Sequence, residues 1–128
     1  MQNKIMTKEI ERLFEKYPLY SQEGNMSAKV LLKVFNPYGR GTWYVTEANK
    51  TADGDYECFG LVNIFEAELG YFMLSELLNM RVKVFGMPMP LERDTHFVGK
   101  TLKEAYEECG EGDRWLAMAE AMAETAEA

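Results

Sequence analysis

The hydrophobic positions near the start of the chain recur at helical spacing. They are Ile10, Leu13, Phe14 and Tyr17. This i, i+3, i+4, i+7 pattern places apolar side chains on one face of an α-helix. Thr7 stands where an N-cap is expected, and Pro18 cannot continue a helix. The sequence therefore predicts an amphipathic helix between these two residues.

From residue 28 onward the apolar positions alternate with polar ones, which is typical of β-strands. The predicted strands cover residues 28–36, 42–48, 56–65, 70–74 and 81–85. In the first of them, Lys29 and Lys33 are expected to face water. Residues 37–41 have the composition of a turn, so the first two strands are expected to form an antiparallel hairpin. The strand over 56–65 is apolar on both faces, which predicts a strand covered on both sides.

Other local signals place a turn, a short helix and an extended edge in the second half of the chain. Residues 66–70 are expected to form a turn. Ser75 is expected to cap a short helix over residues 76–80. Pro88 and Pro90 keep the residues before them out of the helical region, which predicts an extended segment at the edge of a sheet.

Two helices are predicted at the end of the chain. Thr101 and Glu104 have the spacing of a capping box. The apolar stripe of this helix consists of Leu102, Ala105, Tyr106 and Cys109. Gly110 is expected to end the helix. Asp113 is expected to cap a last, alanine-rich helix that runs to about residue 126.

Together these elements predict an α+β fold. An antiparallel meander of four to five strands is expected to pack against the N-terminal helix and the C-terminal helices. A chain of 128 residues has the length of one domain. We expect residues 1–109 to form a single α+β domain and residues 110–128 to form an acidic helical extension.

The negative charge of the chain is concentrated near its C-terminus. The net charge is −7, and residues 104–128 hold eight acidic residues against one basic residue. Residues 1–103 are therefore neutral, without the basic stripe that binding to duplex DNA requires. The acidic helix either attracts a basic protein surface or only maintains solubility. The candidate partner-binding residues on it are Trp115, Met118, Met122, Glu120 and Glu124.

Several classes of protein do not fit the sequence. No apolar run reaches the ~20 residues of a membrane span, and the N-terminus does not resemble a signal peptide. No glycine-rich phosphate loop and no Cys or His metal spacing occurs, so we expect no cofactor. Cys58 lies in an apolar strand and Cys109 lies among acids, so neither is expected to be a nucleophile. We expect a cytoplasmic protein with no assigned catalytic residue.

The densest polar cluster covers residues 92–96. The candidate ligand-binding residues are Arg93, Asp94 and His96, together with Glu66 and Glu68. If the fold brings them together, a guanidinium, an imidazole and carboxylates suit a small ligand-binding or hydrolytic site. Alternatively, Arg93 forms an ion pair that holds this segment to the body of the domain.

Aromatic residues suggest a further alternative. Trp43, Tyr44, Tyr71 and Phe72 fall on the predicted strands. On one face of a sheet they would stack the bases of single-stranded nucleic acid. They would equally serve as core residues, since few basic residues accompany them.

An ordered set of short motifs resembles the bacterial DUF2958 family over residues 5–103. The motifs are Trp43-Tyr44-Val45, Asp53-Gly54-Asp55, Phe59-Gly60-Leu61-Val62, the run from Glu68 to Leu77, and Leu91-Glu92-Arg93-Asp94. The resemblance implies a protein carried by bacterial mobile elements. Together with the small size, the absence of catalytic motifs and the acidic last helix, it leads us to expect a non-enzymatic accessory protein that binds another protein, with a role against host defence as one form of that expectation. The resemblance implies no catalytic residues, because none are established for the family.

Overall fold

The structure is a computed structural model and describes residues 5–97 and 99–110. The helices are α1 (Lys8–Lys16), α2 (Leu74–Asn79) and α3 (Leu102–Glu108). The strands are β1 (Leu32–Phe35), β2 (Thr42–Lys50), β3 (Tyr56–Asn63), β4 (Ala67–Met73), β5 (Arg81–Val84), β6 (Met87–Pro90) and β7 (Glu92–Arg93). The predicted last helix and its candidate partner-binding residues lie outside the described residues.

The α+β prediction is confirmed. Within the described ranges, five strands form one antiparallel sheet in the order β4-β3-β2-β1-β7. The strands β1 to β4 follow one another as the expected meander. The fifth strand of the sheet, however, is β7 and not the predicted strand at 81–85. That segment is β5, which pairs with β6 in a separate two-stranded sheet.

Helices cover both faces of the main sheet, because its inner strands are apolar on both faces. On one face, Phe14 of α1 packs against Tyr56 with 5.1 Å between ring centroids. On the other face, Tyr106 of α3 belongs to a second core cluster with Tyr44 and Leu61. The prediction that the third strand is covered on both sides is therefore confirmed.

The two outer helices begin where the sequence predicts. The Thr7 hydroxyl accepts a hydrogen bond from the Ile10 N–H at the start of α1. The capping box of Thr101 and Glu104 is formed at the start of α3. After α3, Gly110 has a φ of 76°, a conformation that ends helices and that glycine adopts without strain.

The helix α2 and the strand before it differ from the prediction. Residues 67–70 belong to β4, so the turn after β3 is confined to residues 64–66. The N-cap of α2 is Met73, without a side-chain hydrogen bond. Ser75 does not cap the helix, because its hydroxyl and its N–H both donate to the Asp55 carboxylate. Ser75 therefore forms a tertiary contact with the β2–β3 turn instead of the predicted N-cap hydrogen bond within α2.

Lys33 also departs from the prediction. Lys29 is exposed as expected, but the Lys33 side chain is only 10% exposed. Alternation along β1 directs Lys33 to the face that α3 covers, where carboxylates and aromatic rings surround its amine. The predicted alternation holds within β1, but residues 28–31 lie outside the strand, and Val30 packs in the α3-side cluster rather than with Leu32. The second face of the sheet is also not open to water.

Candidate functional site

The predicted ligand-binding residues fall at two opposite edges of the main sheet. Arg93 lies in β7, which pairs with β1 at one edge. Glu66 ends the turn before β4 and Glu68 lies in β4, which forms the other edge. Four strand spacings of about 4.8 Å separate these edges by roughly 19 Å. The fold therefore does not bring Glu66 and Glu68 to the segment 92–96.

A cleft of about 180 Å³ lies between α1 and the β1–β7 edge. Its lining includes Arg93, Asp94, Lys33 and Glu9. His96 does not line the cleft, and its backbone N–H donates to Asp94 Oδ1 at 2.8 Å. Of the three candidates in this segment, the structure brings Arg93 and Asp94 together and leaves the exposed His96 outside.

Lys33 and Asp94, which line this cleft, belong to a network that we call the lysine cluster. It consists of Lys33, Tyr44, Asp94 and Glu108. The Lys33 amine lies 3.0 Å from Asp94 Oδ2 and 2.8 Å from Glu108 Oε1. The Tyr44 hydroxyl donates to Glu108 Oε2 at 2.6 Å. The cluster joins β1, β2, the segment after β7 and α3, so its charged groups are paired within the fold.

The electrostatics of the lysine cluster follow from this pairing. Burial raises the pKa of Asp94. The His96 N–H and the Lys33 amine together lower it by more than burial raises it, so the pKa lies below its usual value. Burial, and then the hydrogen bond to Glu108, raises the pKa of the Tyr44 phenol far above its usual value. The lowered pKa keeps Asp94 ionised and the raised pKa keeps Tyr44 neutral. Both protonation states stabilise the fold and leave no free acid–base pair in the lysine cluster.

The thiols are poor nucleophiles for a reason that the sequence showed only in part. Cys58 is fully buried, and burial raises its pKa to about 12. Burial also raises the pKa of the half-buried Cys109, whose sulfur lies 3.6 Å from the Tyr44 hydroxyl. For Cys109, burial has a larger effect than the neighbouring acids that the sequence indicated.

The aromatic residues proposed for base stacking do not share a surface. Trp43 and Phe72 are buried in the core on the α1 side of the sheet, and Tyr44 is buried on the α3 side. Tyr71 is 54% exposed and packs on Phe59 with 4.9 Å between ring centroids. Three of the four rings are therefore core residues.

Sequence reasoning missed a buried carboxylate in β2. Glu47 is 1% exposed and lies next to a β-bulge. Its carboxylate accepts backbone N–H groups from Tyr20 at 3.0 Å, from Glu23 at 2.6 Å and from Gln22. We call residues 18–25 the carboxylate loop. The available signal was an acid that directly follows the aromatic and β-branched run of residues 43–46 in a strand, and it indicates a buried polar anchor.

A second, two-stranded sheet forms a β-hairpin that we call the projecting hairpin, residues 81–90. Its register pairs Val84 with Met87 across a two-residue turn, Phe85-Gly86. The φ angles of Phe85 and Gly86 are 52° and 81°, as a type I′ turn requires. Phe85 is fully exposed at the tip, and Met87 is 63% exposed.

One face of the projecting hairpin is apolar from base to tip. Val82 and Met89 form a pair near the base, where Val82 packs against the core, and Val84 and Met87 form the next pair. The strongest contacts of β5 and β6 are with each other. The sequence predicts 81–85 and 88–90 as separate segments, because Phe85-Gly86 lacks the asparagine or aspartate typical of a two-residue hairpin turn; Gly86 is the only local signal.

Neither a metal centre nor a membrane span is seen in the described part of the chain. In residues 5–97 and 99–110, no three His, Cys, Asp or Glu side chains are placed to hold a metal ion. None of the helices described is both long enough and apolar enough to cross a bilayer.

Comparison with known proteins yields one match. A family model described as protein of unknown function (DUF2958) matches residues 5–113. This range contains every described element, from α1 to α3. No curated protein and no solved structure matches the chain.

Proposed function

Since the chain belongs to the DUF2958 family, which is described as of unknown function, we propose from its own geometry that it is a protein-binding module. The projecting hairpin is the contact element. Its partner is a protein of the host cell or of the mobile element that the family resemblance implies.

The proposal rests on the backbone conformation and the exposure of Phe85. A left-handed conformation costs a residue other than glycine about 1–2 kcal/mol, and asparagine is the favoured residue at this turn position. Phe85 adopts that conformation with its ring entirely in water. Strained backbone and a fully exposed large apolar side chain at one site are typical of a surface that contacts another molecule.

Other apolar residues of the hairpin and of the segment before it are also exposed. Met87 follows the turn, and Leu78 and Met80 at the base of the hairpin are 38% and 37% exposed. Methionine side chains adapt their shape to a partner, which suits a contact surface. The cleft has less support as a functional site, because Lys33 and Asp94 are already paired within the fold.

The test compares two exposed aromatic residues that share a backbone conformation. Phe85→Asn removes the ring at the hairpin tip and retains the turn. Tyr20→Asn is the matched control, since Tyr20 has a φ of 73° and is 68% exposed. Tagged wild-type protein and both variants are incubated with nuclease-treated host lysate, and captured proteins are quantified by mass spectrometry.

We expect at least one protein to be captured by the wild type and by Tyr20→Asn, and to be depleted ~10-fold or more with Phe85→Asn. Melting temperatures of both variants confirm that each is folded. If Phe85→Asn captures the same proteins in the same amounts as the wild type, the hairpin tip is not the contact element.

A further inference from the structure

We propose that the outer edge of β5 binds an extended segment of the partner as an additional strand, and that this segment alternates acidic with apolar side chains. This inference rests on the proposed function and names the chemistry of the partner. It follows from a difference between the two edges of the projecting hairpin.

The register of the hairpin determines which backbone groups face outward. The pair next to a two-residue turn, Val84 and Met87, is hydrogen-bonded, and such pairs alternate with non-hydrogen-bonded ones. Lys83 opposite Pro88 is therefore a non-hydrogen-bonded pair. Residues in such pairs direct their backbone N–H and C=O groups away from the hairpin. The same holds for Arg81 opposite Pro90.

Proline makes the two edges unequal. In β6 both outward positions are proline, which has no N–H, so this edge has no outward donor to pair with a strand. In β5 the outward positions are Arg81 and Lys83, and both retain the N–H. The hairpin is therefore closed to strand addition along β6 and open to it along β5.

The β5 edge is also unoccupied within the described part of the chain. There, β5 pairs with β6 and with no other strand. Arg81 and Lys83 are both exposed, and their backbone N–H groups donate to no loop or turn carbonyl of residues 5–97 or 99–110. An exposed edge with free donors and acceptors is the template on which β-augmentation depends.

The two faces of the hairpin specify the side chains of the added strand. Arg81 and Lys83 project on one face, and Val82 and Val84 project on the other. Arg81 Nη1 donates to the carbonyls of Leu78 and Met80, which leaves its other two nitrogens available. Lys83 forms no ion pair with a described residue. Acidic side chains beside the basic face and apolar ones beside the valines complement this edge.

A second copy of the chain is a poorer occupant of the same edge. Antiparallel pairing of β5 with itself about Val82 places Arg81 of each copy opposite Lys83 of the other. Like charges that face one another across two strands are destabilising. The charge pattern therefore favours an acidic strand from a different protein.

The test uses a defined probe and the full chain. The probe is a capped peptide of about eight residues that alternates glutamate with valine, since strands of this length are common. A peptide that alternates lysine with valine is the control. Amide hydrogen exchange of the ¹⁵N-labelled protein is followed by NMR with and without each peptide.

We expect the acidic peptide to slow amide exchange of Arg81 and Lys83 by ~10-fold or more, because these N–H groups become hydrogen-bonded. Exchange of Val82 and Val84, which already donate to β6, is expected to change little. The basic peptide is expected to leave all four amides unchanged.

A pair of variants separates the backbone contribution from the charge. Lys83→Pro removes the outward N–H and reproduces the arrangement of Pro88 on the opposite strand. Lys83→Gln removes the charge and retains the N–H. We expect Lys83→Pro to weaken binding of the acidic peptide ~5-fold or more relative to Lys83→Gln, through loss of a hydrogen bond.

The inference is overturned if the acidic peptide gives no protection at Arg81 and Lys83 in the wild type, a measurement that does not depend on any variant folding. Equal binding by Lys83→Pro and Lys83→Gln also overturns it. A wild-type dimer in sedimentation that Lys83→Pro dissociates would assign the edge to a second copy instead. Each of these results leaves the effect of Phe85→Asn on partner capture unaffected, so the two proposals fail separately.

Discussion

Two exposed aromatic residues, Tyr20 and Phe85, have the same unfavourable backbone conformation for different reasons. Tyr20 has a φ of 73° and belongs to the carboxylate loop, where its N–H donates to the buried Glu47. Phe85 has a φ of 52° at the tip of the projecting hairpin, with its ring fully in water. In the loop, strain accompanies internal hydrogen bonds that offset it; at the hairpin tip the ring contributes nothing to the described core.

Two lysines repeat this contrast. Lys33 places its amine between Asp94 and Glu108 and is 10% exposed. Lys83 is exposed on the projecting hairpin. In the body of the domain, Lys33 and Tyr20 are bonded to internal partners, whereas the hairpin leaves both its tip and one edge open. That difference is why we assign the partner contact to the hairpin.

The largest expected effect concerns the carboxylate loop. Glu47→Ala leaves the backbone N–H groups of Tyr20, Gln22 and Glu23 without their acceptor, so we expect the free energy of unfolding to fall by about 3 kcal/mol. Urea denaturation measures this change. Glu57→Ala, at an exposed position of β3, is the control and is expected to change it by less than ~0.5 kcal/mol. Equal effects of the two variants would refute the role of Glu47 as the anchor of the loop.

The next prediction compares a lysine-to-methionine substitution in the body of the domain with the same substitution in the projecting hairpin. Lys33→Met removes the cation from two carboxylates, and we expect it to lower the free energy of unfolding by about 2 kcal/mol. Lys83→Met removes an exposed charge and is expected to change it by less than ~0.5 kcal/mol. Denaturation curves of both variants at neutral pH test the difference. A loss with Lys83→Met that matched the loss with Lys33→Met would show that the hairpin is part of the stabilising body.

A smaller effect depends on pH. The pKa of Asp94 is lowered in the folded state, so its contribution is complete above the unfolded value of about 3.9 and is lost as the pH falls through the folded value. We expect Asp94→Asn to be less stable than the wild type at pH 7 by ~1 kcal/mol or less, since the Asp94 side chain is 23% exposed and solvent partly screens it.

Denaturation of both proteins between neutral pH and about pH 3 checks this expectation, which follows from the linkage between protonation and folding. The difference between the two proteins should shrink as the pH falls below the unfolded value. A difference that stayed constant across that range would mean that Asp94 does not stabilise the fold through its charge.

The smallest effect concerns the hairpin tip and has the opposite sign. Asparagine tolerates the left-handed conformation better than phenylalanine, so Phe85→Asn is expected to raise the free energy of unfolding by about 0.5 kcal/mol. Combined with loss of partner capture, this gain would show that Phe85 is retained at the expense of stability. A clear loss of stability would indicate that the ring packs within the protein and would remove the main support for a contact role.

Many elements of the fold were predictable because their signals are local. The cap, the apolar face and the terminating proline of α1 lie within a few residues of one another, and so do the capping box and Gly110 of α3. The strands β1 to β4 were predictable as neighbours because short turns join them. The errors at Ser75 and Lys33 arose where a residue distant in sequence supplied the partner, Asp55 in one case and Glu108 in the other.

The candidate sites were less predictable than the elements. The sequence singled out Arg93 and Asp94, and pairing of β7 with β1 brings them to one cleft. It grouped them with Glu66 and Glu68, which β4 carries to the opposite edge. It overlooked Glu47, because the burial of a single acid depends on the loop that folds over it.

Short-range patterns were therefore sufficient for the α+β class, the meander and the boundaries of α1 and α3, since capping, periodicity and turn chemistry act over a few residues. The folded chain alone determined which of two extended segments completed the sheet. β7 occupies the β1 edge, and β5 and β6 pair with each other instead. Strand pairing along an edge depends on the position of distant segments in space, and so do the enclosure of Lys33 and the exposure of Phe85. The alternation of apolar and polar residues along one strand does not specify where those distant segments lie.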